Sequence, residues 1–219
     1  MSQKGSAVAG LSAIAFGVLT AFAMGFINAP GGNYDDPTVA SYGESGHLPV
    51  VIISGYLAML GVLGLIYLLA YLRKAVASGS EASLSAMVFW GSGLASAAAL
   101  AVGWGMVTGV ALAAVEGGTD AKISHATTYV LSDTSLNVIW GSAGVLLGFS
   151  LFTLVIASRG TLPNWLRWTT MVVAVMAVGA PAFFPSFAIP LWALVMGVRL
   201  LLVGRFPLAS AAVRQAAAS

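Results

Sequence analysis

The sequence predicts an all-α, polytopic integral membrane bundle of six transmembrane helices with both termini on the cytoplasmic side. Of its 219 residues, 59% are hydrophobic and only 7% are charged. About a quarter of the residues in soluble domains are charged, so this chain cannot cover an aqueous surface and needs lipid as its solvent. About 20 apolar residues cross a bilayer, which leaves room for about six to eight crossings in one domain over residues 1–219.

Six apolar runs are separated by polar or helix-breaking residues. The predicted spans cover about 7–28, 50–72, 84–115, 134–157, 165–182 and 187–204. The first run, Ala7 to Ile27, ends before Pro30, which stops a helix. A cleaved signal peptide is the competing interpretation, because Ala21-Phe22-Ala23 has the spacing of a cleavage site. The apolar run continues past that point, which favours a retained span.

The later runs each carry a feature that shapes the helix. The third run is about 48 Å long at 1.5 Å per residue, so it must tilt, protrude or kink in a core of about 30 Å. Ser132 and Asp133 are candidate N-caps for the fourth. Prolines divide the last stretch, Leu166 to Leu202, into two short spans, and a single broken helix giving five spans is the alternative. These prolines are Pro181, Pro185 and Pro190.

The basic residues predict the orientation, because Lys and Arg collect on the cytoplasmic side of short loops. With the N-terminus inside, eight of the nine face the cytoplasm and six of the seven acidic residues face outward. The cytoplasmic cations are Lys4, Arg73, Lys74, Arg159, Arg167, Arg199, Arg205 and Arg214. A five-span chain would carry Arg205 and Arg214 to the outer face. We therefore expect a multi-pass protein of the cell membrane, the inner membrane in a bacterium.

The centres of the predicted spans contain no Asp, Glu, Lys, Arg or His. Such a group costs about 2.5–3.5 kcal/mol at mid-membrane and is normally kept for proton relays, ion paths or counter-ions. The two histidines, His47 and His125, fall in outer loops, and the chain has no cysteine and no phosphate-binding or metalloprotease motif. The chain therefore lacks the residues that usually bind retinal, haem or zinc, and it has no thiolate. We expect no cofactor, no metal and no nucleic-acid partner.

Small residues recur at helical spacing within three spans. They are Gly17, Ala21 and Gly25, then Gly105 and Gly109, then Gly144 and Gly148. In lipid, small residues let two backbones approach closely, which stabilises helix pairs. We interpret them as packing sites within the bundle, with a homodimer face as the alternative. Hydroxyl groups within the spans, such as those of Ser96 and Ser150, are interpreted as bonding to helix carbonyls.

Polar side chains are concentrated in the two outer loops that flank the second and third spans. The candidate ligand-binding residues are His125, Tyr129, Asp133, Asn137, His47 and Asp36. The first four recur every four residues, so a helix from Ser124 onward would align them as a stripe leading into the bundle mouth. These residue types suit general acid–base chemistry or divalent metal binding. A solvated loop face is the simpler interpretation, with Asp133 as a helix cap.

Two short segments carry a resemblance to a known family. They are Leu162-Pro163-Asn164-Trp165-Leu166, with Arg159 and Gly160 upstream, and the boundary Leu69-Ala70-Tyr71-Leu72-Arg73. A Leu-Pro-x-Trp-Leu hinge that opens span five, and a second span with a Leu-x-x-Leu-Arg-like end, are typical of the domain of unknown function 4386 family, which this chain resembles. The resemblance implies a six-span bacterial membrane protein. It implies no activity and no functional residue.

Two function hypotheses follow. The first is a non-catalytic bundle that holds an apolar small molecule, a lipid or a partner subunit, in addition to its contact with the bilayer. The uncharged spans and small-residue positions support it, and a second copy of the chain is a candidate partner. The second is a membrane enzyme or carrier for a lipid-soluble substrate, with polar residues at the outer mouth. A closed pocket near His125 and Asp133 would favour the second, and an exposed seam would favour the first.

Overall fold

The computed structural model describes residues 3–27, 46–77, 83–116, 124–159, 161–183 and 187–204. Of these residues 92% are helical and none lies in a strand, so the predicted all-α class is confirmed. The helices are α1 (Gln3–Phe26), α2 (Leu48–Val76), α3 (Ser83–Glu116), α4 (His125–Asn137), a π-helical segment (Val138–Ser142), α5 (Ala143–Ala157), α6 (Asn164–Val178), α7 (Ala180–Phe183) and α8 (Ala188–Val203).

Four helical stretches are long and apolar enough to cross a membrane. They are Lys4–Phe26, Leu48–Val76, Leu84–Ala113 and Ala126–Ala157. Large apolar side chains point outward from them; Leu63, for example, is 63% exposed. A water-soluble fold would bury many of these groups, so this surface is suited to lipid. The last apolar stretch forms two shorter helices, α6 and α8, on either side of α7.

The fourth helical stretch begins earlier than predicted, at His125 instead of residue 134. The prediction that Ser132 or Asp133 caps it is wrong, because both lie inside α4. Ser124 is the N-cap, and its hydroxyl oxygen accepts a hydrogen bond from the backbone N–H of Thr127 at 3.2 Å. The first three turns contain too many polar residues to belong to an apolar run, so the apolar pattern alone predicts a later start.

The helices form a closed ring in sequence order. Each packs against the next, and α8 returns to pack against α1. The helix α3 lies between α2 on one side and the α4–α5 stretch on the other. The ends of α2 and α5 and the start of α3 lie at the same end of the ring, since Phe89 contacts Ser150 and Gly93 faces Leu69. We call this the basic end because it carries Arg73, Lys74 and Arg159.

Glycines bring the helix backbones together at several crossings. A Cβ built on Gly17 would lie 2.8 Å from the carbonyl oxygen of Pro190, and one on Gly148 would lie 2.8 Å from that of Ala174. Gly144 is similarly close to α6 and α7, 3.3 Å from the carbonyl oxygen of Ala177. At 2.8 Å an added Cβ would have to displace the carbonyl oxygen, and at 3.3 Å the neighbouring helix would have to shift by a few tenths of an ångström. The predicted role in packing within the bundle is therefore confirmed for Gly17, Gly144 and Gly148.

Buried hydroxyl groups connect helices that lie side by side. Ser96 donates to the carbonyl oxygen of Ala143 at 2.7 Å, and Ser150 donates to that of Phe89 at 2.8 Å. Both bonds join α3 to α5, and they confirm the structural interpretation of these serines. The indole N–H of Trp192 in α8 donates to the Thr170 hydroxyl of α6 at 3.0 Å. This bond holds the last two helices together.

Candidate functional site

The predicted polar stripe lies on α4, which is helical as the prediction required. Its members, four residues apart, occupy successive turns of one helix face. The structure brings Asp133 and Asn137 together: the Asn137 amide donates to a carboxylate oxygen of Asp133 at 3.1 Å and to its backbone carbonyl at 3.0 Å. Tyr129 is half-buried one turn away. His125 starts the helix, and its side chain lies outside the described part of the structure.

The other two candidate residues fall outside this stripe. His47 precedes α2, and its Nε2 atom lies 3.2 Å from the carbonyl oxygen of Ile27 at the end of α1. In the tautomer protonated at Nε2, His47 donates this bond and joins the two ends of the connection between α1 and α2. Asp36 lies outside the described residues. Within the described ranges, no three histidine or acidic side chains come close enough to hold a metal ion.

The interior of the ring is closely packed where the π-helical segment enters it. The backbone N–H of Ala143 bonds to the carbonyl of Val138, five residues back. The cavity beside this segment measures about 20 Å³, enough for about one water molecule. It is lined by residues of α1, α3, α5, α8 and the π-helical segment, namely Phe16, Thr20, Met24, Ser96, Leu100, Ile139, Trp140, Ala143, Gly144, Leu147, Ile189 and Pro190. This cavity cannot hold an organic ligand.

A different use of small residues appears on the outside of α3. We call its exposed middle the small-residue face; it consists of six small residues, namely Gly91, Ala95, Ala98, Gly105, Gly109 and Ala113, with the larger Val102 between them. A Cβ built on Gly109 has no described residue within 4 Å, and one on Gly105 meets only Met59, at 3.8 Å. The predicted packing role within the bundle is therefore wrong for these two glycines. Gly25 of α1 is also exposed, with no described residue within 4 Å of its added Cβ.

An apolar groove runs along one edge of the small-residue face, between α2 and α3. It consists of two cavities of about 320 and 400 Å³ that share Met59. We call it the α2–α3 groove; its lining residues are Ile52, Gly55, Tyr56, Met59, Val62, Leu63 and Ile66 from α2, and Leu94, Ala97, Ala98, Ala101, Thr108 and Leu112 from α3. Ala98 belongs to both features. Both cavities therefore open on the outer surface of the bundle and not into its interior.

The sequence indicated part of this surface, since a homodimer face is the alternative interpretation of Gly105 and Gly109. Gly105 and Gly109 stood out by their spacing, and Gly91, Ala95 and Ala98 extend the same pattern. Spacing alone does not reveal which side of α3 faces its neighbours.

Comparison of this chain with protein-family models, curated proteins and solved structures found no match. The resemblance carried by the segment around Pro163 and Trp165 stays a prediction.

Proposed function

We propose that this chain is a non-catalytic, six-span membrane protein that associates through α3 with a transmembrane helix of a second copy. The bilayer is its solvent, and both termini lie on the cytoplasmic side. The basic residues Arg73, Lys74 and Arg159 at one end of the ring support this orientation under the positive-inside rule. The exposed apolar surface of the four longer helices supports the membrane setting.

Two features support crossings by the last two helices despite their lengths. The helix α6 has 15 residues, but α7 follows after Gly179, so residues 164–183 offer about 30 Å of nearly continuous helix. The helix α8 has 16 residues and is apolar throughout apart from Arg199. A crossing needs about 17–25 residues, so each meets or approaches the lower limit. The bond between Trp192 and Thr170 keeps them side by side.

The exposed small-residue face is the observation that carries the proposed association. From Gly91 to Ala113 it extends about 33 Å at 1.5 Å per residue, which matches a hydrocarbon core of about 30 Å. A lipid chain reaches through one leaflet only, whereas a helix can follow the whole face. Gly105 and Gly109 have the small-xxx-small spacing at which transmembrane helices approach closely. A second copy is the simplest partner, because identical faces can meet about a two-fold axis.

The α2–α3 groove favours a second candidate occupant, an apolar small molecule or lipid chain. Its two cavities have volumes in the range of small-molecule sites, and their walls are almost entirely apolar. The groove borders the small-residue face, so such a molecule would lie at the edge of the helix contact. Neither the α2–α3 groove nor the small interior cavity is lined by a residue of the polar stripe, so neither supports the enzyme or carrier hypothesis.

Cysteine cross-linking tests the association directly, since the natural chain contains no cysteine. Ala98→Cys and Gly109→Cys place single thiols on the small-residue face, and Gly25→Cys is the matched control on exposed α1. A disulfide requires Cα atoms about 4.4–6.8 Å apart. We expect oxidation in native membranes to give covalent dimers with the α3 variants and only monomers with Gly25→Cys.

Equal dimer yields from all three variants, or none from the α3 variants, would contradict association through α3. The orientation needs its own measurement. Reporter fusions after Arg73 and at the C-terminal tail should both report the cytoplasm, and a report from opposite sides of the membrane would rule out the six-span arrangement.

A further inference from the structure

The helices α6, α7 and α8 form a shorter side of the ring, which we call the short wall. At the end away from the basic end, this wall stops at the level of the π-helical segment. A Cβ built on Gly141 of that segment lies 3.9 Å from Pro181 of α7, and Pro190, near the start of α8, lines the cavity beside the segment. Only three residues of the chain separate Phe183, the end of α7, from Phe187.

The helices α2, α3 and α4 continue beyond that level. Gly103 of α3 lies beside Ser135 and Ile139, where α4 joins the π-helical segment. The whole of α4, 13 residues or about 20 Å, therefore lies farther from the basic end than the short wall does. Gly55 of α2 lies beside Thr108, about 7.5 Å farther along α3 than Gly103, so α2 also rises above the short wall.

The surface at this height is apolar on α2 and polar on α4. On α2, Ile53 lies close to Gly55 and is 58% exposed. On α4, Thr134 and Asn137 are exposed and Asp133 is half-buried. Hydrocarbon is a good solvent for the first surface and a poor one for the second. The apolar surface of the bundle thus rises higher on the side of α2 than on the side of α4 and the short wall.

The helix α8 is too short to match a bilayer of ordinary thickness. Its 16 residues measure about 24 Å, and Arg199 reduces the apolar part to about 17 Å, whereas the hydrocarbon core is about 30 Å thick. Close contact between Gly10 of α1 and the carbonyl oxygen of Gly197 fixes α8 at this height. A bilayer adapts to a short apolar helix by becoming thinner around it.

We infer that the short wall thins the adjacent leaflet, and that the protein thereby speeds the movement of phospholipids from one leaflet to the other. A headgroup crosses a bilayer slowly because its charged and polar groups must leave water. Beside the short wall the hydrocarbon path is shorter, and Thr134 and Asn137 of α4 offer hydrogen-bonding groups above it. No covalent bond changes, and the movement runs in both directions.

This activity requires the membrane setting of the proposed function but not the dimer. In the ring, α1 and α2 separate α8 from α3 on one side, and α5 and α6 separate them on the other. The short wall therefore lies opposite the small-residue face. It stays in contact with lipid when two copies meet through α3.

A lipid-scrambling assay on the full chain tests the inference. The chain is reconstituted in phosphatidylcholine vesicles that carry a trace of nitrobenzoxadiazole-labelled phosphatidylcholine in both leaflets. Dithionite does not cross the bilayer, so in protein-free vesicles it should bleach the outer label alone. With the wild-type chain we expect the inner label to be lost as well, at least about tenfold faster than without protein, a barrier lower by about 1.4 kcal/mol.

Lengthening the short wall should remove this effect. Four leucines inserted between Phe187 and Ala188 extend α8 outward by about 6 Å and leave its contacts with α1 in place. This insertion should slow the wild-type rate about tenfold. The same insertion after Ala113 is the matched control, because it lengthens α3, which already exceeds the core. It should keep the rate within about twofold of the wild type.

A second variant addresses the polar side of the same region. The double substitution Thr134→Leu with Asn137→Leu makes α4 apolar above the short wall. It should also slow the inner label's loss, and it tests the inference even if the insertion in α8 folds poorly.

Equal slowing by the two insertions would overturn the inference, because it would indicate a general effect of disturbed packing. A wild-type rate equal to that of protein-free vesicles would overturn it too, as would equally fast bleaching of a trapped soluble fluorophore, which would reveal leakage. Cross-linking through Gly109→Cys separates the two proposals. Dimers without scrambling would contradict this inference alone, and scrambling without dimers would contradict the association through α3 alone.

Discussion

Glycines occur both in the contact between α5 and α6 and on the small-residue face of α3. The first region is covered by another helix, whereas the second is exposed. At Gly148 an added Cβ would lie 2.8 Å from both a carbonyl oxygen and a backbone nitrogen of α6. At Gly109 an added Cβ meets no described residue within 4 Å. In both helices the glycines lie four residues apart. The spacing of small residues thus shows where another helix can pack closely, but it does not show whether a helix of the same bundle does so.

The largest expected effect separates these two glycines. Gly148→Leu should destabilise the protein by about 3 kcal/mol, because its side chain must displace the backbone of α6. Gly109→Leu should leave the unfolding free energy of the monomer unchanged or raise it by up to about 1 kcal/mol, since glycine disfavours helix. Denaturation in mixed micelles, followed by circular dichroism, measures both.

Equal destabilisation by the two variants would contradict the claim that Gly148 is covered by a helix whereas Gly109 is exposed. Gly25→Leu is the control, since this exposed glycine lies on a helix with no proposed partner. It should resemble Gly109→Leu in stability and differ from it in native membranes, where only Gly109→Leu should reduce cross-linking of Ala98→Cys.

The next effect concerns the buried side of α3, which α4 covers. Ser124→Ala removes the N-cap of α4 and should cost about 1 kcal/mol of unfolding free energy. Ser132→Ala is the control, because Ser132 lies inside the helix and has no capping role. Hydrogen exchange should show the first turn of α4 opening in Ser124→Ala alone. A larger effect at Ser132 would indicate that α4 begins later than the structure describes.

A smaller effect is expected at the hydrogen bonds that join α3 to α5. Ser150→Ala removes the donor to the Phe89 carbonyl and should cost about 0.6 kcal/mol, the average for such bonds between membrane helices. Ser142→Ala, at an exposed position of the same helical stretch, should cost less. Thermal unfolding of the two variants under the same conditions measures the difference in their unfolding free energies. An equal cost would show that the α3–α5 contact does not depend on this bond.

The smallest effect is expected for the polar stripe, which belongs to neither the buried contact nor the exposed face. His125→Ala and Asp133→Ala should each change stability by less than about 0.5 kcal/mol and leave cross-linking through α3 intact. Any ligand retained by the wild type should be retained by both. If these variants lost a ligand that the wild type retains, while their stability was unchanged, the result would support the enzyme or carrier hypothesis.

Much of the fold was predictable because lipid imposes a simple rule on sequence. Uninterrupted apolar runs indicated α1, α2 and α3 closely, and the prolines indicated the division between α6 and α8. The start of α4 was missed because a helix can leave the apolar core and continue through polar residues, provided that a residue such as Ser124 caps it. Packing within the bundle was predicted correctly at Gly148 and wrongly at Gly109, because the rotation of a helix depends on its neighbours.

The candidate site was less predictable for a related reason. The pairing of Asp133 with Asn137 follows from their spacing once the helix is known. The α2–α3 groove does not, because it depends on how α2 packs against α3. Sequence patterns report on single helices, whereas cavities arise between helices.

The π-helical segment determines the direction in which the side chains of α5 face relative to those of α4. Its wide turn accommodates one residue more than an α-helical turn of the same rise, which offsets every later side chain by about 100° about the axis. Deleting one residue from 138–142 would let this turn return to α-helical geometry, with little change in the length of the rod, and Gly144 and Gly148 would still face α6. The wide turn thus absorbs one amino acid between α4 and α5 and keeps the contact of α4 with α3 and that of α5 with α6 in register.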